Sequence, residues 1–132
     1  MLIDTCIWIW WAEGSGKLDT WQKTALENAI LANGFAISSI SCWEVALKAR
    51  KGDLALSADI DSWIRTALAL PGLYCINLDP NVLVESTRLP DRFHKDPADR
   101  MIAATSRIWD LPLLTTDGRI LAYGDYVRLV EP

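Results

Sequence analysis

The side chains most able to do chemistry are acids. Asp4 closes the first apolar run, "LID"; Glu44 lies in "SCWEVALK"; Asp96 and Asp99 stand three residues apart in "HKDPADRMIAATS"; Asp117 follows "LPLLTT" directly. Asp4 and Asp117 fall at strand ends, and Glu44 and Asp99 in the first turns of helices beside strands. In open parallel sheets, sites form beyond the carboxyl ends of the strands where strand order reverses. If the first and fourth strands are neighbours there, Asp4 and Asp117 meet, and two helix N-termini could bring Glu44 and Asp99 to the same mouth. Carboxylates about 4 Å apart repel by roughly 4 kcal/mol per pair at an effective dielectric of about 20. Such a pocket therefore either holds protons or holds a cation. With no His or Cys in the set, every donor is oxygen, which suits Mg²⁺ or Mn²⁺ and argues against Zn²⁺. The hydroxyls of Thr5, Ser38, Ser39, Thr115 and Thr116 could hold the carboxylates or water at the cation. The chemistry that fits is metal-assisted phosphodiester hydrolysis, with the metal activating water and supporting the leaving oxygen.

The elements that must position these acids read as an α/β alternation. Leu2 to Asp4 reads as a buried strand and "TCIWIWWA" as a short helix, apolar nearly all round. "LDTWQKTALENAILANG" is an amphipathic helix with Asp19 as N-cap, Gln22 in the reciprocal capping position and Gly34 after its end. Phe35 to Ile40 reads as the second strand. "SCWEVALKARKG" reads as a helix capped by Ser41, with Glu44 at its third position and Gly52 as its stop. Ser57 to Leu70 reads as a helix halted at Pro71-Gly72. Leu73 to Leu78 forms the third strand. Asp79-Pro80 and Asp96-Pro97 each open a helix by the cap-then-proline rule, which makes Asp96 a cap and places Asp99 at the third helical position. Leu111 to Thr116 is the fourth strand and "YVRLVE" a shorter fifth. The strands are continuous apolar runs, as in a parallel sheet covered on both faces. The expected fold is one three-layer α/β/α domain over residues 1–132, with a central parallel sheet of about four to five strands.

Half of the 132 residues are apolar and seven are Trp, enough for a sizeable single core. The longest apolar run, Cys6 to Ala12, is shorter than the roughly 20 residues a bilayer span needs. The start of the chain lacks the basic-then-apolar order of a signal peptide. Cys6, Cys42 and Cys75 are odd in number and lack CxxC spacing, so they read as reduced core thiols of a cytoplasmic protein. The net charge of −4 alone argues against a general nucleic-acid binder. The charges are unevenly placed, however, and Lys48, Arg50, Lys51, Lys95 and Arg100 are candidates to hold an RNA strand beside the acids.

Taken together, "LIDTCIWIWW", "ISCWEVALKARKGDL", "HKDPADRMIAATS" and "LLTTDGRI" resemble the PIN domain, most closely the VapC-like toxins of bacterial and archaeal toxin–antitoxin pairs. The resemblance covers essentially the whole chain, with four motifs in the right order. It implies a Mg²⁺- or Mn²⁺-dependent endoribonuclease whose acidic quartet falls on Asp4, Glu44, Asp99 and Asp117. Asp99 takes the third place because that motif has its acid before the "xxIAA" run, here "DRMIAA". Asp96 is then an extra acid beside the quartet. The resemblance further implies a homodimer and a small VapB-like antitoxin whose C-terminal segment enters the active-site groove.

Each feature also has a plainer reading. Ser41-x-x-Glu44 is a capping-box spacing, Glu44 and Lys48 an ordinary helical pair, and "TTDG" an Asx turn. His94, the only histidine, reads as a surface or supporting residue, because a metal nuclease needs no histidine base. Trp8, Trp10 and Trp11 could stack bases, but a packed helix under the sheet is the simpler expectation. The alternatives to a nuclease are a catalytically silent PIN-like binding scaffold and a Mg²⁺-dependent phosphatase on a similar fold. The haloacid dehalogenase type wants a second Asp at the position of Cys6. A receiver domain wants a lysine that "TTDGRIL" does not supply.

Overall fold

A computed structural model describes residues 1–93 and 95–132. His94 lies outside the described residues. The elements are β1 (Leu2–Ile3), α1 (Thr5–Glu13), α2 (Thr20–Leu31), β2 (Phe35–Ser38), α3 (Ile40–Arg50), α4 (Ile60–Leu68), β3 (Leu73–Ile76), α5 (Pro80–Thr87), α6 (Pro97–Ile108), β4 (Leu113–Leu114) and α7 (Gly118–Leu121). The four strands form one sheet in the order β3-β2-β1-β4, with every pairing parallel. The chain steps outward from β1 through β2 to β3, then crosses back to put β4 on the other side of β1. That reversal makes the β1/β4 boundary the switch point.

Alternate residues of each strand feed opposite sides of the sheet, as strand geometry requires. Ile3, Phe35, Ile37 and Leu114 pack with Ile7, Trp8, Leu26, Val45 and Trp63 in one core. Leu2, Ala36, Ile76 and Leu113 pack with Phe93, Ile102, Ala103, Ile120 and Val127 in the other. The sheet is thus the middle of three layers. Trp8 is fully buried; its indole N–H donates to the Ala67 carbonyl at 3.2 Å and its ring meets Trp63 edge-on, 5.1 Å between centroids. Trp10 and Trp11 pack partly buried against the same core. That favours the packing reading of the α1 tryptophans over base stacking.

Several boundaries differ from the sequence reading. The fifth strand reduces to a single parallel bridge, Leu113 to Leu129, because Arg128 O and Val130 N engage only Leu113. α4 begins at Ile60, not Ser57, since the Asp59 carboxylate accepts from the Ser62 N–H at 3.0 Å and caps the helix there. α3 begins at Ile40, not after Ser41. The Ser39 N–H is taken by Ile76 O, and the Ser39 hydroxyl accepts from the Leu78 N–H at 3.1 Å, so β2 runs straight into the helix. The Asx turn at Asp117 is present, with the Asp117 carboxylate accepting from the Arg119 N–H at 2.8 Å, and it opens α7. Cys75 is exposed, and Cys6 and Cys42 are half-buried, so the cysteines are free thiols but not core residues. Gly34 and Gly72 have positive φ, and a Cβ on Gly34 would lie 2.4 Å from the Gly72 carbonyl oxygen. Only glycine lets β2 and β3 start this close together.

Candidate active site

The sheet's reversal determines what meets at its carboxyl edge. Asp4 leaves β1 as the N-cap of α1, with Oδ1 accepting from the Ile7 N–H at 2.9 Å. Its other oxygen, Oδ2, accepts from the Thr115 hydroxyl just beyond β4. Thr115 Oγ1 in turn accepts from the Asp117 N–H at 3.0 Å. One hydroxyl therefore ties the end of β1 to the turn that carries Asp117. Asp4 is 5% exposed and Thr115 likewise buried. Burial pushes the Asp4 carboxyl above its ordinary value; the Thr115 and Ile7 donors offset this in part, and the nearby Asp117 charge adds to it.

Glu44 lies in the second turn of α3 because that helix starts earlier than its sequence suggests, so the Ser41 capping box does not form. Ser41 is fully buried instead, its hydroxyl 2.8 Å from that of Thr5. The Thr5 hydroxyl donates to Glu44 Oε1 at 2.5 Å. Glu44 is raised by burial first and by Asp96 and Asp4 after it, against the pull of Thr5 and Lys48. α6 opens as expected: Asp96 caps it, accepting from the Ala98 N–H at 2.9 Å and the Asp99 N–H at 3.3 Å. Asp99 follows in the first turn. Its carboxyl is pushed up to about 7, by burial first and then by Glu44, Asp96, Asp117 and Asp4. Asp117 caps α7 through the Arg119 N–H at 2.8 Å and pairs with the Arg119 guanidinium at 3.4 Å.

These groups share one cleft of about 380 Å³, lined by Asp4, Thr5, Cys6, Glu44, Lys48, Asp96, Asp99, Thr116, Asp117 and Arg119. Within it, carboxylate oxygens of Glu44, Asp96 and Asp99 lie within 4.8 Å of one another. The cleft thus gathers all four acids read as the quartet, together with Asp96, which is cap and cluster member at once. The donor set is all oxygen, and for Asp4, Glu44 and Asp99 burial and neighbouring carboxylates already favour the neutral forms. A hard divalent cation reverses both penalties, so the residues fit Mg²⁺ or Mn²⁺.

The other candidates divide. Thr5 and Thr115 bond directly to the acids, Thr116 lines the mouth, and Lys48 lines the same cleft one turn after Glu44. The Ser38 hydroxyl is fully buried and accepts from the Ile40 N–H at 3.3 Å. Ser39 serves the β3 end rather than the acids. Arg100 donates to the carbonyls of Ser86, Leu89 and Phe93 and lies over the Phe93 ring, so it ties α6 to the preceding segment rather than facing a strand of RNA. Arg50 and Lys51 are exposed at the far end of α3 and line no part of the cleft. Lys95 lines an adjoining groove. The sequence reading makes Ser41 only a helix cap and assigns Arg119 no role. Only tertiary contact could reveal Ser41, whose partner is 36 residues away; Arg119 could have been noticed as a cation two residues beyond Asp117.

The model of the PIN domain matches residues 1–125. The chain belongs to the PIN domain family. It is 28% identical over 123 residues to Ribonuclease VapC22 of Mycobacterium tuberculosis (strain ATCC 25618 / H37Rv), an alignment covering 93% of this chain and 91% of that protein. Among solved structures it is similar to a toxin–antitoxin complex from Klebsiella pneumoniae, with TM-score 0.67 and 27% identity, over 99% of this chain and 96% of that one. VapBC2 from Rickettsia felis, bound to a DNA fragment from its promoter, shares the fold with TM-score 0.68 at 18% identity, over 98% and 94% of the two chains. The PIN domain here is the three-layer sheet described above, with its acids at the β1/β4 switch point.

Proposed function

We propose that this PIN domain is a metal-dependent endoribonuclease and the toxin of a toxin–antitoxin pair. The observation that carries the reading is the cleft itself: Asp4, Glu44, Asp99 and Asp117, with Asp96, arrive from four separate segments at one carboxyl edge. Carboxylates gathered this closely repel one another, and a cation among them relieves that repulsion. Relatives named as a ribonuclease and as a toxin–antitoxin complex, aligned over nearly the whole chain, support the same conclusion.

Asp4, Glu44, Asp99 and Asp117 would hold Mg²⁺ or Mn²⁺, with Asp96 beside them. A divalent cation bound there supplies positive charge to the phosphodiester and makes water a stronger nucleophile at neutral pH. The chain's own groups prepare for this. Thr115 and the Ile7 N–H fix both oxygens of Asp4, and Thr5 fixes Glu44 against rotation. The Asp99 carboxyl, pushed up to about 7, would have to be deprotonated to hold a cation. Lys48 puts an ammonium in the same cleft, where it can meet a non-bridging phosphate oxygen as a point charge. The buried wall formed by Asp4, Thr5 and Thr115 keeps bulk water from the back of the site.

On this reading residues 1–132 act as one domain in the cytoplasm, as a homodimer. A small VapB-like antitoxin covers the cleft. Among the described residues, no helix is long and apolar enough to cross a membrane. Expression of the chain alone should arrest growth and fragment cellular RNA, and co-expression of the cognate small protein should relieve both. Normal growth with intact RNA under strong expression would reject the toxin reading. A catalytically silent scaffold would bind a partner but give the same result with Asp4→Ala as with the parent.

A further inference from the structure

Beside the acid cleft lies a second, more open groove of about 750 Å³, lined by Arg92, Phe93, Lys95, Arg119 and Tyr123 together with Asp91, Asp96, Gly118 and Ala122. The two are continuous, since Asp96 and Arg119 line both. The charge changes sign between them. The cleft sets five carboxylates against Lys48 and Arg119, whereas the groove sets three cations against Asp91 and Asp96. In a chain of net charge −4, this leaves a surface with a slight excess of cations joined to the acids.

Arg92 is held in place rather than loose. The Arg92 guanidinium lies over the Tyr123 ring at 5.7 Å, and the Tyr123 hydroxyl donates to the Arg92 carbonyl at 2.7 Å. Tyr123 itself leans on the buried Phe93, 5.3 Å between centroids. A guanidinium stacked on a ring keeps its in-plane N–H donors for an anion. Among the described residues, no carboxylate forms an ion pair with Arg92 or Lys95. Gly118 also lines the groove, and a Cβ there would meet nothing within 4 Å.

We propose that this groove binds the RNA strand next to the scissile bond, with Arg92 and Lys95 holding neighbouring phosphates and Arg119 bridging groove and cleft. The inference rests on the nuclease reading above and deepens it by naming where the substrate runs. A polyanion is favoured over a protein segment because the cations line a path that ends at the acids. Arg92 and Lys95 are themselves exposed and do not line the cleft, so neutralising them leaves the cleft intact.

The test is cleavage of a short single-stranded RNA by the full chain with Mn²⁺ across a salt series, comparing the parent with the double variant Arg92→Gln/Lys95→Gln. The concentration giving half-maximal rate should rise about tenfold while the maximal rate changes less than about twofold, and the slope of log affinity against log salt should fall by about 1.4, near 0.7 per lost phosphate contact. The charge-conserving pair Arg92→Lys/Lys95→Arg should restore the slope. A parent that cleaves RNA and a double variant with the same half-saturation and slope would overturn the groove assignment alone, and leave the surface to a protein partner. A parent that cleaves no RNA would overturn the nuclease reading and this inference together.

Discussion

Burial and the surrounding carboxylates hold the Asp99 proton up to a pH of about 7, against an ordinary value of 3.8. A folded-state pKa above the unfolded one means the folded protein binds the extra proton between those limits. The group's contribution to stability is therefore full below the lower value and is lost as pH rises through the upper one. The metal-free protein should melt at lower temperature at about pH 8 than at about pH 5.5, and Asp99→Asn should remove most of that difference. A parent and variant with the same pH slope would contradict the assignment. Mn²⁺ should bind more tightly as pH rises through the same window, releasing protons that calorimetry in buffers of different ionisation enthalpy can count. Asp96 and Asp99 separate by a second comparison. Asp96→Asn keeps a capping side chain, so it should melt like the parent and lose at most about tenfold in metal affinity, whereas Asp96→Ala should also lose about 1 kcal/mol of stability. That doublet was legible in the sequence, because cap, proline and first-turn acid follow a local rule. The Thr5–Glu44 and Thr115–Asp4 bonds were not, since they join residues 39 and 111 positions apart.

At the scale of elements, the α/β order and the parallel sheet could be read from the apolar runs, which are unbroken because both faces of each strand are covered. Boundaries were harder. α3 shows why: the Ser41-x-x-Glu44 spacing imitates a helix start, but β2 delivers the chain already helical at Ser39, and Ser41 turns inward to Thr5. The result moves Glu44 into the second turn, still facing the cleft. Thr5→Val should therefore leave the fold in place yet release Glu44. Metal affinity should fall about 10–100-fold, the usual effect of losing a partner that orients a ligand, and unchanged Mn²⁺ binding would show that Glu44 needs no such support. The β2/β3 edge makes a prediction of stability alone. Gly34→Ala drives a methyl into the Gly72 carbonyl at a positive φ, so it should cost about 1 kcal/mol or more while leaving the cleft chemistry intact. Thermal melts of that variant as stable as the parent would mean the two strand starts can separate freely.

Across the whole molecule, net charge and charge placement point different ways: the chain is acidic overall, yet of the five cations read as RNA contacts only Lys48 and Lys95 line the cleft or its adjoining groove. An acidic chain with a slightly cationic groove beside its acid cleft can bind a polyanion where it matters and repel it elsewhere. The switch point explains why distant acids converge: β4 must return beside β1, so the segments after each strand share one edge. What sequence alone leaves open is how far the substrate path extends, because it depends on surfaces built from loops such as the one carrying Arg92 and from Tyr123 after α7. The central claim is that the convergent acids cut RNA through a divalent cation. Its most direct test is cleavage of single-stranded RNA by the purified chain with Mn²⁺, with EDTA, and with Asp99→Asn shown to be folded by its melting transition. Cleavage only by the parent with Mn²⁺ is the expected result; equal cleavage by Asp99→Asn, or cleavage undiminished in EDTA, would contradict it.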